Sequence, residues 1–98
     1  MSAPGAEPTV LCRSVLVPNR RGLHARAAAR LVTTAERFGA LVEVLKDGQA
    51  VSARSIMGLM MLGAGPGTEV LVRAQGWDAK EALEAIAALI EAGFDEQD

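Results

Sequence analysis

Strand-like patterns occur at four places along the chain. Residues 9–17 are apolar and β-branched, which predicts a first strand. Residues 41–46 and 49–53 form two more such runs, and the Asp47-Gly48 pair between them is a strong signal for a two-residue hairpin turn. A fourth strand with one buried face is predicted where Val70, Val72 and Ala74 alternate with Leu71, Arg73 and Gln75.

A first helix is predicted over residues 25–38, where apolar residues recur with the helical period. Its apolar stripe consists of Ala28, Leu31, Val32, Ala35 and Phe38. The opposite side carries Arg26, Arg30, Thr33 and Arg37. Gly39 follows as a plausible stop for this helix.

Two further helices are predicted in the second half of the chain. Residues 56–62 are apolar and follow Ser55, a candidate N-cap. Asp78 and Glu81 have the spacing of a capping box, with Asp78 as the cap and Glu81 reaching back, and Gly93 ends the last helix. The apolar face of that helix consists of Ala82, Leu83, Ile86, Ala87, Leu89 and Ile90.

The resulting order, β-α-β-β-α-β-α, predicts an α+β fold. We expect an open-faced β-sandwich in which a four-stranded antiparallel sheet carries three helices on one face. Residues 1–8 are small, Pro-containing and without pattern, so we expect a flexible N-terminal tail before a single domain over residues 9–98. With only two Phe, one Trp and no Tyr, the core is expected to be aliphatic.

Basic residues are concentrated near the start of the chain, although the net charge is only −2. Residues 1–38 carry six arginines against two glutamates, whereas residues 69–98 carry two cations against eight carboxylates. This asymmetry favours an anionic ligand or an acidic partner, and the scarcity of aromatics argues against nucleic acid. Without a bilayer-length apolar run or a signal pattern, we expect a cytoplasmic protein with no membrane partner.

The single cysteine and the single histidine exclude two classes of site. Cys12 and His24 cannot form the clustered ligand set of a zinc or iron centre, so we expect no metal and no cofactor. One cysteine also excludes a disulfide framework. Because Cys12 lies in a predicted strand, a buried and inert thiol is the favoured interpretation.

His24 is the residue best placed for chemistry. It lies between the loop 18–22 and the first turn of a predicted helix, where unpaired backbone N–H groups and the helix dipole favour an anion. Arg26 can add a charge-assisted hydrogen bond, and a neutral imidazole beside an anion site suits phosphoryl acceptance. The alternative, from the residues alone, is a histidine that merely caps the helix. No second catalytic group or nucleotide-binding motif accompanies it.

Three segments resemble HPr, the histidine-containing phosphocarrier family of the phosphoenolpyruvate-dependent phosphotransferase system. Residues 22–28 (GLHARAA) are similar to the family's phosphohistidine signature, and residues 54–60 (RSIMGLM) to its regulatory-serine segment. A looser similarity covers residues 74–82 (AQGWDAKEA). The family has the same order of elements, so residues 9–98 are identified as an HPr-like domain.

The resemblance implies a role for each matching residue. His24 would accept a phosphoryl group on Nδ1 from phosphorylated Enzyme I and pass it to an EIIA-type protein. Arg26 would stabilise the phosphate, and Ser55 would be a regulatory site for an HPr kinase/phosphorylase. The residues implied to bind partner proteins are Arg30, Ile56, Met57 and Met60.

Several of these residues have a structural alternative. The arginine stripe (Arg26, Arg30 and Arg37) is either a solvated helix face or a docking surface beside His24. The methionines of the second helix could fill the core, and the resemblance assigns Met57 and Met60 to an interface while leaving Leu59 and Met61 as core. Ser55 could cap a helix whether or not it is also a regulated site.

One position departs from the family pattern. Many members carry proline where this chain has Ala27, and we expect the site to survive because both residues suit a first helical turn. The alanine and residues 55–62 (SIMGLMML) resemble the nitrogen-related branch of the family. The final acceptor could therefore serve sugar transport or nitrogen regulation.

We predict a monomeric, stoichiometric phosphoryl-relay protein that is not an enzyme. One rival is a regulatory binding module controlled at Ser55, which would need no nucleophile and leaves the pairing of His24 with Arg26 unexplained. The other rival is a true enzyme, which the lack of a second catalytic group disfavours.

Overall fold

The computed structural model describes residues 10–96 and shows four antiparallel strands and three helices. The elements are β1 (Val10–Leu16), α1 (Ala25–Ala35), β2 (Leu41–Lys46), β3 (Gln49–Ser52), α2 (Ile56–Met61), β4 (Glu69–Gln75), α3 (Ala79–Glu91) and a 3-10 helix η1 (Gly93–Asp95). The predicted α+β sandwich is confirmed, and η1 is an addition to it. The predicted tail, residues 1–8, lies outside the described residues.

Strand β4 lies in the interior of the sheet, whose order is β1-β4-β2-β3. Val72 of β4 stands opposite Arg13 of β1 on one side and Val44 of β2 on the other. The predicted alternation of β4 is confirmed, because its inward residues Val70, Val72 and Ala74 are buried. The helices therefore cover one face of the sheet, and the other face is open.

The β2–β3 hairpin turns where the sequence predicts. Asp47 and Gly48 have φ values of 50° and 81°. A type I′ turn needs positive φ at both central residues, which Gly adopts freely and Asp tolerates. The two-residue turn fixes the register, so that Lys46 pairs with Gln49.

Helix α1 buries its predicted apolar stripe but ends earlier than predicted. Ala28, Leu31 and Ala35 are buried, and the helix stops at Ala35 with Glu36 as its C-cap. Gly39 does not have the positive φ of a helix-ending glycine. Residues 36–38 instead form a turn that leads the chain towards β2, and Phe38 packs against the core from that turn.

The predicted capping box at the start of α3 is wrong. Asp78 is buried, and its carboxylate accepts hydrogen bonds from the backbone N–H groups of Gly39 at 2.8 Å and Ala40 at 2.7 Å. Within residues 10–96 the Asp78 side chain makes no bond to the helix it precedes. A buried carboxylate needs strong donors, and the two amides ahead of β2 supply them. Asp78 therefore ties the start of α3 to the start of β2.

The prediction for Cys12 is also wrong, because its side chain is exposed. Strand β1 turns Val15 into the core, so Cys12 shares the outward parity of Ser14 and Leu16. An apolar residue type in an open-faced sheet can belong to either face. Which face it belongs to depends on whether the strand turns that position towards the helices or away from them.

The core is aliphatic except at one place. The apolar face of α3 is buried as predicted, with Leu89 only partly covered. The largest fully buried side chain, however, is Phe94 of η1. Gly93, Phe94 and Asp95 have φ values of 64°, 58° and 59°, so the chain reverses after α3 and returns Phe94 to the core. We call residues 93–96 the C-terminal turn.

In the part of the chain that is described, no helix is long and apolar enough to cross a membrane.

Candidate functional site

The loop before α1 is held by contacts with the loop between α2 and β4. The Leu23 backbone N–H donates to the Ala64 carbonyl at 3.0 Å, and Gly22 has a φ of 61°. A Cβ atom at Gly22 would lie 2.3 Å from the Ala64 oxygen and 2.9 Å from the Gly65 Cα. Only glycine fits this conformation and this close approach. This contact between the two loops fixes the position of His24, two residues after Gly22, at the start of α1.

His24 is the N-cap of α1. Its extended backbone (φ −75°, ψ 177°) places the ring over the first turn, and Nδ1 accepts a hydrogen bond from the Arg26 backbone N–H at 3.2 Å. The His24 carbonyl accepts the first helical hydrogen bond, from Ala28, at 2.8 Å. The capping interpretation of His24 is therefore correct, and it is compatible with chemistry because the same geometry places Nδ1 at the positive end of the helix.

The other ring nitrogen contacts a residue from the far end of the chain. Nε2 of His24 bonds Oε2 of Glu96, and Oε1 of Glu96 accepts from the Asn19 side-chain amide at 3.0 Å. Both side chains are largely covered, with 13% of His24 and 16% of Glu96 exposed. Since Nδ1 accepts a backbone N–H, the hydrogen-bond network assigns the proton of a neutral ring to Nε2.

The hydrogen bond from the His24 ring lowers the pKa of Glu96. Partial burial of the carboxylate raises this pKa, whereas the Asn19 amide and the Arg21 charge lower it further. A carboxylate with a lowered pKa stabilises the folded state fully above the ordinary glutamate pKa. That stabilisation is lost as the pH falls through the lowered value. Glu96 is therefore ionised, and an acceptor for His24, throughout the neutral range.

The arginine stripe divides into three different environments. Arg30 donates to the Phe94 carbonyl at 2.9 Å and to the Asp95 carboxylate at 3.1 Å, so it holds the C-terminal turn. Arg37 lies over the Phe38 ring, 5.8 Å from its centroid. The Arg26 guanidinium is exposed and has no hydrogen-bond or ion-pair partner within residues 10–96, which leaves it available beside His24.

Ser55 is the N-cap of α2, as predicted. Its Oγ accepts from the Gly58 backbone N–H at 3.0 Å. Gly58 suits the crowded position, because an added Cβ would lie 3.0 Å from Oγ and 3.1 Å from the Val51 Cβ. Helix α2 packs against α1, so the Ser55 segment and His24 belong to neighbouring helices.

Helix α2 exposes an apolar patch, which consists of Ile56, Met57 and Met60 at 40%, 69% and 42% exposure. Leu59 is fully buried as expected, but the core assignment of Met61 is wrong because 74% of it is exposed. Two residues along a helix correspond to about 200°, so burying Leu59 turns Met61 away from the core. Met61 extends the apolar surface of α2.

Two residues of the site, Glu96 and Asn19, were not predicted from the sequence. The only sequence signal for Glu96 is the contrast between the basic N-terminal half and the acidic C-terminal segment, which does not name a pair. Asn19 resembled an ordinary loop residue, yet it is buried and donates to the Gly22 carbonyl at 2.8 Å as well as to Glu96. No cluster of potential metal ligands is present among the described residues.

Comparison with known proteins places this fold and site in a family. The sequence model of a family described as "PTS HPr component phosphorylation site" matches residues 11–92. Phosphocarrier protein NPr of Shewanella violacea is 43% identical over 88 residues, covering 90% of this chain and 97% of that protein. Phosphocarrier protein HPr of Cupriavidus necator is 44% identical over 87 residues, covering 89% and 98%.

Solved structures agree with this assignment. The crystal structure of HPr from Thermoanaerobacter tengcongensis has a TM-score of 0.85 and 42% identity, and covers 89% of this chain and 98% of that one. The crystal structure of Bacillus subtilis Crh, described as a domain-swapped dimer, has a TM-score of 0.70 and 49% identity, covering 81% and 91%. The chain therefore belongs to the HPr family of phosphocarrier proteins of the phosphotransferase system.

Proposed function

We propose that Nδ1 of His24 accepts a phosphoryl group from phosphorylated Enzyme I and delivers it to an EIIA-type protein. The observation that carries the proposal is the position of Nδ1, which holds a lone pair directly over the first turn of α1. A nucleophile needs an available lone pair, and a transferred phosphoryl group needs positive surroundings. His24 meets both needs at one place.

The first turn of α1 supplies the positive surroundings. The helix begins at Ala25, and its first backbone N–H groups have no partner within the helix. The Arg26 N–H donates to Nδ1 over 3.2 Å, and it can donate to a phosphate oxygen once Nδ1 is bonded to phosphorus. Ala27 keeps a backbone N–H that proline would lack. The exposed Arg26 guanidinium adds a full positive charge at the same site.

The test is phosphorylation with labelled phosphoenolpyruvate and purified Enzyme I, followed by incubation in acid. A phosphoramidate on His24 is expected to be acid-labile, and the label is expected to move on when an EIIA-type protein is added. A regulatory binding module would take up no label from Enzyme I. A self-contained enzyme would consume its substrate without Enzyme I.

Replacing Arg26 with alanine is expected to slow phosphoryl uptake by about 10- to 100-fold, because a hydrogen bond to a charged group contributes about 1.5–3 kcal/mol. The free energy of unfolding is expected to change by less than about 0.5 kcal/mol, since the Arg26 side chain is exposed. Stopped-flow transfer rates and urea denaturation measure the two effects. Arg37→Ala is the matched control, because Arg37 is an exposed arginine in the turn that follows α1, away from His24. Equal rates for Arg26→Ala and wild type would show that backbone donors suffice.

Partner docking is proposed on the surface that surrounds His24. The apolar patch of α2 and the exposed Arg26 lie on neighbouring helices, so a partner with an apolar centre and acidic edges fits them. Arg30 contributes through its position beside Arg26, although its guanidinium is engaged by the C-terminal turn. A phosphate on Ser55, added by an HPr kinase/phosphorylase, would place negative charge beside this patch.

The Ser55→Asp variant is expected to weaken Enzyme I binding and to slow His24 phosphorylation about ten-fold. The charge repels an acidic partner and is costly to desolvate beside apolar contacts. Part of the loss is expected to persist at high salt, because screening does not remove the desolvation term. Titration calorimetry at low and high salt measures it.

The matched control for Ser55→Asp is Ser55→Asn. Asparagine and aspartate are equally good N-caps, so the two variants differ in charge and not in helix stability. If Ser55→Asp and Ser55→Asn bind Enzyme I with the same affinity, Ser55 acts only as a helix cap.

The remaining assignments are also proposals. We propose that the protein works in the cytoplasm as a monomer, and that its EIIA-type acceptor serves either sugar transport or nitrogen regulation. Identity alone does not separate the branches, since the chain is 43% identical to the NPr of Shewanella violacea and 44% identical to the HPr of Cupriavidus necator. Parallel transfer assays with purified EIIA-type proteins of both branches decide between the two acceptors.

A further inference from the structure

We propose that Glu96 is a positioning residue that sets the tautomer of His24 and stabilises the positive ring formed during phosphoryl transfer. The proposal rests on the proposed role of His24 as acceptor. It begins from the contact between Oε2 of Glu96 and Nε2 of His24. Glu96 directly follows η1 and lies 72 positions after His24 in the sequence. Neither helix α1 nor the phosphohistidine signature contains it.

The position of Glu96 is fixed independently of His24. Phe94 is fully buried and anchors the C-terminal turn in the core. Arg30 bonds the Phe94 carbonyl and the Asp95 carboxylate, and the Glu96 backbone N–H donates to the Gly93 carbonyl at 3.1 Å. The carboxylate therefore reaches the ring because the C-terminal turn is held elsewhere. It is preorganised for the contact.

Asn19 completes the arrangement from the loop before α1. Its buried amide donates to the Gly22 carbonyl and to Oε1 of Glu96, while its own Oδ1 has no partner among the described residues. Turning the amide over would place its oxygen against two acceptors, so the orientation is determined. Asn19 thus leaves its own oxygen unsatisfied while both of its N–H groups hold the loop and Glu96 in place.

The two contacts of the ring select one tautomer. The Arg26 N–H requires a lone pair on Nδ1, and the Glu96 carboxylate requires a proton on Nε2. Without Glu96, only the 3.2 Å bond from the Arg26 N–H would favour the Nε2–H form, and the ring in its Nδ1–H form is not a nucleophile at Nδ1. Glu96 therefore keeps the neutral ring in the form that can react.

The same contact acts during the transfer. The Nδ1 lone pair forms the bond to phosphorus while the bond from phosphorus to the donor breaks, leaving its electron pair on the donor. Nε2 keeps its proton, so the ring becomes positively charged beside the Glu96 carboxylate. Onward transfer reverses the charge change, because the electron pair of the N–P bond returns to Nδ1. A carboxylate behind a charged imidazole stabilises it in the way that the aspartate of a catalytic triad does.

The test uses Glu96→Ala and Glu96→Gln, with Glu91→Gln as the control. Glu91 is a carboxylate at the end of α3 whose partner is Arg13 on β1, so its loss changes the net charge equally without touching His24. Ring ¹⁵N chemical shifts of the unphosphorylated proteins report the His24 tautomer. Transfer rates from phosphorylated Enzyme I report the catalytic effect.

We expect Glu96→Ala to convert the single Nε2–H tautomer into a mixture and to slow uptake about 10- to 100-fold, the factor lost with a charged hydrogen bond. Glu96→Gln keeps the size of the side chain but not its charge, so it is expected to be nearly as slow. Glu91→Gln is expected to match wild type in both measurements.

An unchanged tautomer in Glu96→Ala overturns the proposal. Uptake by Glu96→Gln at or above the wild-type rate also overturns it, because the contact would then be a structural closure of the C-terminal turn. If the wild-type protein takes up no phosphoryl group from Enzyme I, the proposed function fails. The tautomer measurement still decides in that case whether Glu96 sets the form of His24.

Discussion

Replacing His24 with alanine is expected to abolish phosphoryl uptake from phosphorylated Enzyme I. His24 is the only histidine of the chain, and its Nδ1 is the proposed nucleophile at the start of α1. The fold is expected to persist with a loss of about 1 kcal/mol, because only a helix N-cap bond and the contact to Glu96 disappear. Intact-mass measurement after incubation with phosphoenolpyruvate and Enzyme I reads the result directly.

His24→Asn is the matched control for this loss. Asparagine is a good N-cap but cannot form a stable phosphoramidate, so it separates capping from chemistry. We expect His24→Asn to recover the stability lost in His24→Ala and to remain unphosphorylated. Phosphate uptake by either variant, at the wild-type level, would place the acceptor elsewhere in the chain.

Replacing Gly22 with alanine is expected to destabilise the protein by about 2–5 kcal/mol. A left-handed conformation costs a residue with a Cβ about 1–2 kcal/mol, and overpacking adds about 1–3 kcal/mol. The overlap is severe, since the Cβ would meet the Ala64 oxygen at 2.3 Å and that oxygen belongs to backbone. Proteins of this size are stable by about 5–15 kcal/mol, so the loss is a large share of the total. The midpoint of urea denaturation measures it.

Gly65→Ala is the matched control, on the loop that faces Gly22. Gly65 has no positive φ, and no atom lies within 4 Å of the Cβ that alanine would add. Its change in stability is expected to stay within about 0.5 kcal/mol. If Gly22→Ala unfolds at the same urea concentration as Gly65→Ala, the two loops move apart easily and do not position His24.

Elements whose signals lie within a few neighbouring residues were predicted well from the sequence. The hairpin at Asp47-Gly48 needs only two residues with access to positive φ, and the burial of β4 needs only alternation. Ser55 caps α2 through a bond to Gly58, three positions away. In each case the bond that forms the structure joins residues that are close in sequence.

Three predictions failed because a distant partner or face decided the outcome. Asp78 had the local spacing of a capping box, but its carboxylate bonds amides 38 and 39 positions earlier. Cys12 and Met61 are apolar residues whose burial depends on how a strand and a short helix are turned against the core. Packing against the core determines that orientation. The local sequence pattern does not predict it when both faces of the element are partly apolar.

The sequence by itself determined the Nδ1 side of the candidate site. The helix start, its N-cap and Arg26 all lie within residues 22–28, so local rules place His24 at an anion-favouring terminus. Only the tertiary structure decided the Nε2 side. Phe94 and Asp95 adopt left-handed φ values that their residue types do not favour, and burial of Phe94 in the core is what stabilises them. Glu96 reaches His24 because the core holds that reversed chain in place, and no periodicity along the sequence encodes a contact of this kind.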